Sequence, residues 1–277
     1  MDLPIEDVPK SVMDEVGCDL QNYLVPILGL MPENAEPRLR LIGSGTLVDV
    51  EGTHHILTAA HVWHRSSDAE QIVLPIADYA SSFSIRREHI SAKELWRDSD
   101  NEWGPDLALL TLAAPFVSRI KAHKSFVNLA QQRLSHAVRP SVTAKGFWAI
   151  SGMVGKFSEV QPSPNAKIIE ANIHARTFFS LMHQIHQRNG YDYLDLGAKL
   201  CLPGVPSDFG GASGGGLWEV GLLRTKSGEI TWNGRRKFRG VAFWQLADPD
   251  GHKVIRCHGP RSIFENAWER WGLPLGR

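Results

Sequence analysis

Cysteine is scarce in this chain of 277 residues, and neither sign of charge predominates. The three cysteines, Cys18, Cys201 and Cys257, are scattered and odd in number, which excludes a disulfide framework and a cysteine zinc site. Lysine plus arginine equals aspartate plus glutamate, at 30 each, so the basic footprint of a nucleic-acid-binding protein is missing. We therefore expect no nucleic acid as a partner.

Long apolar runs are missing as well. No stretch approaches the roughly 18 apolar residues of a membrane-spanning helix, so no membrane partner is expected. The acidic start, Met1–Asp7, lacks the basic and apolar regions of a secretory signal. Together with the unpaired thiols, this start favours a reducing, cytoplasmic location.

Neither a metal site nor a phosphate loop is predicted, although fragments of both patterns occur. Histidines cluster at His54, His55, His61 and His64, and again at His183 and His186. Neither cluster has the HExxH pattern or the paired carboxylate that would support a zinc site. The stretch Gly152–Lys156 has the wrong spacing for a phosphate-binding loop, and we interpret it as a turn. No cofactor is expected.

Short β-rich runs separated by turns make up most of the chain, which predicts an all-β barrel or sandwich. Apolar spacing predicts an amphipathic helix within 5–20 and a terminal helix, capped by Ser262, over 262–271. The polar segment 115–139 is interpreted as a connection between two subdomains. Strands are expected at 22–31, 39–50, 55–58, 72–76, 83–85, 106–112, 141–150, 167–171, 176–180, 191–196, 217–223, 229–232, 240–245 and 254–257.

One stretch, Gly210–Gly216, reads Gly-Gly-Ala-Ser-Gly-Gly-Gly and suits neither a helix nor a strand. Glycine lets the backbone turn sharply and lets another group approach closely. Ser213 would therefore project from a tight turn with bare N–H groups beside it, as a nucleophile next to an anion site would. The alternative is a flexible loop that happens to contain a serine, and a base and an orienting acid elsewhere would decide between the two.

Candidates for that base and acid precede the serine. His61 follows a predicted strand in Leu-Thr-Ala-Ala-His, and Asp106 begins the apolar run Asp-Leu-Ala-Leu-Leu. Each alone is more often structural, as a buried histidine or a turn aspartate. The order Ser, Asp, His of an α/β-hydrolase could instead use Asp250 with His252 or His258. Glycines and a strand-like run follow the serine where that order needs a helix, which argues against it.

His61, Asp106 and Ser213, in this order and within these motifs, resemble the trypsin/chymotrypsin-like serine protease family. The segments Gly43–Val48 before the histidine and Gly240–Trp244 after the serine add to the resemblance.

The resemblance covers about residues 22–273 and implies two six-stranded antiparallel β-barrels of the chymotrypsin-like fold, with a cleft between them. The implied parts are an N-terminal helical extension at 1–21, a first barrel at 22–125, a second barrel at 126–260 and a C-terminal helix at 261–277.

The resemblance also implies a serine endopeptidase that cleaves a protein or peptide substrate through an acyl-enzyme intermediate. His61 would take the proton of the Ser213 hydroxyl, and Asp106 would orient the imidazole and stabilise its protonated form. The backbone N–H groups of Gly211 and Ser213 would form the oxyanion hole.

One departure from the family pattern bears on activation. Ala212 stands where zymogen-derived relatives have the aspartate that pairs with a liberated N-terminus, so activation by that cleavage is not expected. A built-in geometry, narrow specificity or an activating protein partner is expected instead. A protease-fold binding or scaffold protein that no longer cleaves is the alternative function.

A second departure concerns the substrate pocket, whose expected residues are Ser207, Asp208, Phe243, Trp244 and Gln245. Ser207 argues against a dedicated pocket for lysine or arginine, whereas the adjacent Asp208 leaves such a pocket open. Relatives have Ser-Trp-Gly where this chain has Phe-Trp-Gln, so the primary specificity is left open.

Overall fold

Two antiparallel β-structures and several short helices account for most of the chain in the computed structural model. The structure describes residues 4–32, 34, 38–76, 82–96, 102–138, 142, 146–155, 159–162, 169–172, 175–198, 208–247 and 253–274. The predicted all-β fold is confirmed; the second unit is a closed six-stranded barrel, whereas the first unit, expected to have six strands, has eight within the described ranges. No helix within these ranges is both long and apolar enough to cross a bilayer.

The first unit consists of strands β1 to β8 and helices α2 to α4. Its elements are β1 (Leu24–Leu30), β2 (Leu39–Val50), β3 (Thr53–Thr58), α2 (Ala60–His64), β4 (Gln71–Pro75), β5 (Ser82–Arg86), a 3₁₀ turn (Arg87–His89), β6 (Ser91–Trp96), β7 (Asp106–Thr111), α3 (Ala114–Lys121), β8 (Val127–Asn128) and α4 (Leu129–Val138).

Seven of these strands follow one another in the antiparallel order β5-β4-β1-β2-β3-β7-β6 among the described residues, and β8 pairs in parallel with β2. Apolar side chains such as Leu47, Ile56 and Leu109 are fully buried inside the sheet. The β3–β7 pairing, with Thr58 opposite Ala108, brings the end of β3 beside the start of β7. His61 and Asp106 are therefore brought together by sheet register.

The second unit is a closed six-stranded barrel in the order β12-β13-β16-β15-β14-β9, as predicted for this half of the chain. A separate hairpin of β10 and β11 accompanies it. Its elements are β9 (Phe147–Met153), β10 (Glu159–Pro162), β11 (Ile169–Asn172), β12 (Ala175–Arg188), β13 (Tyr191–Ala198), β14 (Gly216–Arg224), β15 (Ile230–Ala247) and β16 (Lys253–His258).

The N-terminal extension is a 3₁₀ turn (Ile5–Asp7) followed by helix α1 (Lys10–Gln21). Val12, Val16 and Leu20, spaced by four residues, are buried on one face of α1. The carboxylate of Asp19 lies 2.9 Å from Arg236 Nε, which ties this helix to β15 of the second barrel.

The C-terminal helix is confirmed, but its start differs from the prediction. It consists of a π-helical segment (Ser262–Ala267) and a last turn, α5 (Trp268–Arg270). Ser262 does not cap the helix with its hydroxyl, which donates at 2.7 Å to the carbonyl oxygen of Asp192. The Asp192 carboxylate instead accepts the backbone N–H of Ser262 at 2.6 Å and that of Arg261 at 3.2 Å. A carboxylate from β13 therefore satisfies the helix N-terminus.

The structure refines two sequence interpretations of local structure. The polar segment 115–139, interpreted as a connection, consists mostly of helices α3 and α4, and α3 buries Val117 and Ile120. The predicted strands 229–232 and 240–245 are parts of one long strand, β15, which contains Gly234 at a φ of +72°. Irregularities in the β14–β15 register let this glycine lie within a strand rather than end it.

Candidate active site

His61 and Asp106 form a hydrogen-bonded pair in the first unit. His61 Nδ1 lies 2.6 Å from Asp106 Oδ2, and the backbone N–H of His61 donates to Oδ1 at 2.9 Å. Only 13% of the His61 side chain and 6% of the Asp106 side chain are exposed. Because the carboxylate binds the ring and the backbone of His61 at once, it holds the imidazole in one orientation.

Ser213 lies on the predicted glycine-rich turn, which precedes β14. Gly211 and Gly214 have φ values of +94° and +87°, a left-handed backbone that favours glycine. The turn is attached to both units, because Gly214 N–H donates to the carbonyl of Ala242 at 2.7 Å and Ser44 N–H donates to that of Ser213 at 2.8 Å. The serine is thereby fixed at the boundary between the two units.

Two backbone N–H groups of this turn, those of Gly211 and Ser213, donate to no acceptor within the described ranges. The carbonyl ends of the same two peptides are held in place. Gly210 O accepts the Gly155 N–H at 2.8 Å, and Ala212 O accepts another N–H of the turn at 2.9 Å. Since a peptide is planar, fixing its C=O also fixes the direction of its N–H. The turn therefore presents two oriented donors of the kind that stabilise an oxyanion.

The Ser213 hydroxyl donates a long hydrogen bond of 3.5 Å to the carbonyl oxygen of Phe243. Between these described residues, no hydrogen bond joins Ser213 Oγ to His61, although both line one cavity of about 500 Å³. In sites without substrate, the contact between nucleophile and base is often long and tightens on binding. His61 and Asp106 are thus paired, and the Ser213 hydroxyl lies in the same cavity without a hydrogen bond to the His61 ring.

The second barrel supplies one wall of the cavity, where four of the five predicted pocket residues lie: Asp208, Phe243, Trp244 and Gln245. The fifth, Ser207, lies outside the described residues. Gln245 Oε1 accepts the backbone N–H of Phe209 at 2.7 Å, which ties β15 to the segment before the turn. Asp208 is exposed, and its Oδ1 accepts the Gly210 N–H at 2.9 Å.

The first unit supplies the opposite wall, which the sequence analysis missed. His64, Arg65 and Trp96 line the same cavity as His61. The His64 ring lies 4.7 Å from that of Trp96, and its Nε2 lies 2.7 Å from the carboxylate of Glu94. The sequence could have indicated His64 and Arg65, because they lie close to His61 along the chain. Trp96 is brought to the cavity only by the pairing of β6 with β7.

His258, which the sequence analysis considered only for the alternative order Ser, Asp, His, contacts Asp106. Its ring is fully buried, and Nε2 accepts the backbone N–H of Asp106 at 3.0 Å. Burial lowers the pKa of His258 to about 3, although the nearby Asp106 carboxylate acts in the opposite direction. His258 is therefore neutral, and it contacts Asp106 rather than Ser213. The other residues of the hydrolase-like alternative, Asp250 and His252, lie outside the described residues.

The buried neutral state of His258 predicts a loss of stability in acid. The unfolded residue takes up a proton near its ordinary pKa of 6.5, whereas the folded one does so only near 3. The free energy of unfolding should therefore fall as the pH is lowered through this window, by about 1.4 kcal/mol per pH unit for this residue. Urea unfolding of the wild type and of His258→Gln at several pH values should give a steeper acid slope for the wild type, and parallel slopes would contradict the prediction.

Three of the remaining histidines of the two clusters, His54, His55 and His186, have separate partners. His54 lies 3.1 Å from the Asp49 carboxylate, and His55 Nδ1 lies 3.2 Å from the Thr111 hydroxyl. His186 lies 3.1 Å from Asp195. Within the described ranges, no three His, Cys, Asp or Glu side chains are grouped as metal ligands.

Comparisons with known proteins do not identify a family for the chain. No protein-family model and no curated protein matches it. One similar solved structure comes from work on aromatic interactions that drive the coupled folding and binding of the intrinsically disordered Sesbania mosaic virus VPg protein. The match covers 92% of each chain at 14% identity, with a TM-score of 0.42. A likeness at this level does not inform the chemistry of the site.

Proposed function

We propose that the chain is a serine endopeptidase that acts through His61, Asp106 and Ser213. The observation that carries the proposal is the convergence of three features at one cavity: a histidine–carboxylate pair, a serine on a tight turn, and two oriented N–H donors beside that serine. Together these features match the needs of acyl transfer, namely a base, a nucleophile and an oxyanion site.

In the proposed first step, Ser213 Oγ attacks the carbonyl carbon of the scissile peptide bond while His61 Nε2 takes the hydroxyl proton. Asp106 Oδ2 accepts the Nδ1–H of the same ring, which keeps Nε2 free to act as the base. The negative charge that develops on the carbonyl oxygen is stabilised by the N–H groups of Gly211 and Ser213. Removal of one such donor typically costs about 3–4 kcal/mol of transition-state stabilisation.

The C–N bond then breaks, and His61 returns the proton to the departing amine, which leaves an ester between Ser213 and the acyl part of the substrate. A water molecule attacks this ester while His61 takes one of its protons, and the second breakdown releases the carboxylic acid and restores the Ser213 hydroxyl. Each proton taken by the imidazole is thus returned within the same half-reaction.

Ala212 supports a mode of action without activation by a liberated N-terminus. Ala212 is buried, and its methyl side chain has no carboxylate that could pair with a liberated amine. The turn is held instead by Ser44, whose hydroxyl donates to the carbonyl of Gly211 at 2.7 Å and accepts the N–H of Met153 at 2.7 Å. We propose that this support from β2 and β9 takes the place of such a salt bridge. A protein or peptide substrate in the cavity completes the proposal, which requires no cofactor.

A fluorophosphonate probe, which forms a covalent bond only with an activated serine, tests the proposed function. We expect the wild type to be labelled at Ser213 and the Ser213→Ala variant to remain unlabelled. Ser118→Ala is the matched control, because this exposed serine donates only to a carbonyl of its own helix, at 3.2 Å. An unlabelled wild type, or equal labelling of Ser213→Ala, would contradict the proposal.

The second candidate function is a protease-fold binding protein that does not cleave. The observation in its favour is the hydrogen bond from Ser213 Oγ to the carbonyl of Phe243 rather than to His61. If that state persists in the presence of substrate, peptides bind without forming an ester. A peptide library incubated with the wild type separates the candidates, because an endopeptidase gives two new termini and a binding protein gives none.

A further inference from the structure

The segment that carries Asp106 into the first unit is held by the second barrel. Asp106 begins β7, yet its backbone N–H donates to His258 Nε2, which lies at the end of β16. Both groups are buried, so the hydrogen bond is shielded from water. The residue that orients the His61 ring is therefore itself oriented by a residue of the other unit.

The His258 ring is held on its own side of this contact. It stacks on the ring of Phe243 with 4.2 Å between centroids and 22° between planes. Phe243 is the residue whose carbonyl oxygen accepts the Ser213 hydroxyl. Gly104, at a φ of +59°, lies at the Nε2 edge of the ring, where an added Cβ would come within 3.1 Å of Cε1 and Nε2. His258 thus packs between the segment that carries the acid and the strand beside the nucleophile.

A second side chain of β16 holds the same segment two residues away. Arg256 donates to both carboxylate oxygens of Asp195 at 2.8 Å, and its side chain and that of Asp195 are 5% and 4% exposed. Its guanidinium group lies 3.8 Å from the centroid of the Trp103 ring and donates to the carbonyl of Glu102 at 3.3 Å. A bidentate, buried arginine is a rigid anchor. The segment from Glu102 to Asp106 is therefore held by the second barrel at both of its ends.

We propose that His258 is a positioning residue for the active site: it accepts the Asp106 backbone N–H, so that the carboxylate stays aligned with His61. This inference rests on the proposed function, since alignment matters only if His61 acts as a base. His258 does not itself line the cavity. Its ring accepts the hydrogen bond from Asp106 and stacks on Phe243, and the positioning role is assigned to the hydrogen bond. Displacement of a catalytic group by about 1 Å can lower a rate by about 10²-fold.

Two variants distinguish the effect of the hydrogen-bond acceptor of His258 from the effect of the volume of its ring. His258→Phe keeps an aromatic ring against Phe243 but has no acceptor for the Asp106 N–H. His258→Gln places a carbonyl oxygen near the position of Nε2 and can accept that hydrogen. We expect the rate constant for fluorophosphonate labelling to fall about 10²-fold in His258→Phe and to recover to within about 5-fold of the wild type in His258→Gln.

His55→Phe is the matched control, because His55 is also a buried histidine but contacts Thr111 rather than Asp106. We expect it to destabilise the chain without slowing the labelling. Thermal unfolding of all three variants near pH 8 shows that each is folded during the assay. A fall in His55→Phe equal to that in His258→Phe would overturn the proposal, because loss of packing would then explain both.

A second readout does not depend on proteolysis. The Nδ1 proton shared by His61 and Asp106 should give a downfield proton resonance, identified by its loss in His61→Ala. We expect this resonance to be retained in His258→Gln and in Ser213→Ala and to be lost or shifted in His258→Phe. An unlabelled wild type with this pattern of resonances would reject the proposed function and support the positioning role. An unchanged resonance in His258→Phe, or equal effects of Phe and Gln, would overturn the positioning role.

Discussion

Asp106→Asn is expected to lower the rate constant for fluorophosphonate labelling of Ser213 by about 10⁴-fold, the loss typical of this substitution in a Ser-His-Asp triad. Asp106 accepts two hydrogen bonds, from the backbone N–H and from Nδ1 of His61. An asparagine has one carbonyl oxygen, and if this oxygen keeps the backbone N–H, its amide donates to Nδ1. The imidazole proton then moves to Nε2, which can no longer accept the proton of the serine.

Asp49→Asn is the matched control for this substitution. Asp49 has the same two kinds of partner, a backbone N–H of Gly52 at 3.1 Å and the His54 ring at 3.1 Å, but it lies outside the cavity. We expect its labelling rate to stay within about 3-fold of the wild type, because neither Asp49 nor His54 lines the cavity. Wild-type labelling of Asp106→Asn would show that the carboxylate does not set the tautomer of His61.

Most strands were predictable because a barrel strand shows its burial in the alternation or continuity of its apolar residues. Strands β2, β7 and β16 begin within one residue of the predicted ranges. The helices α3 and α4 were not predicted, because each buries only two residues and the polar remainder is typical of a connection. Two apolar residues such as Val117 and Ile120 predict a buried helix face only when the surface that they pack against is known.

The three proposed active-site residues could be found because each stands in a local motif beside a predicted strand. His258 could not, because its contact with Asp106 joins residues 152 positions apart. Alternation along β16 predicts that Arg256 and His258 share one face, but it does not show which segment they meet. Similarly, Ser44 supports the turn from a distant strand, and the motif Gly-Ser-Gly alone does not indicate this role. Contacts between the two units are what the sequence patterns leave undetermined.

Gly214→Ala is expected to destabilise the chain by about 4 kcal/mol. A Cβ atom at this position would lie 1.9 Å from the carbonyl oxygen of Ser44 and 2.1 Å from Thr58 Oγ1. Such a clash forces the backbone to shift, which costs about 1–3 kcal/mol, and a left-handed φ of +87° adds about 1–3 kcal/mol for a residue other than glycine. Because the turn would move away from β2, labelling of Ser213 should fall as well.

Gly228→Ala distinguishes the cost of the clash from the cost of the left-handed backbone. Gly228 has nearly the same φ, +91°, but nothing lies within 4 Å of an added Cβ. We expect this control to lose only about 1 kcal/mol and to keep wild-type labelling. Thermal unfolding measures the stability of the two variants, and a difference of about 3 kcal/mol corresponds to a difference in Tm of about 5 °C for a chain of this size. Equal stability of the two variants would contradict the close approach of the turn to β2. If Gly214→Ala is destabilised but Ser213 is still labelled at the wild-type rate, the N–H donors of the turn tolerate the shift. The added methyl group would then lower the free energy of unfolding without lowering the reactivity of Ser213.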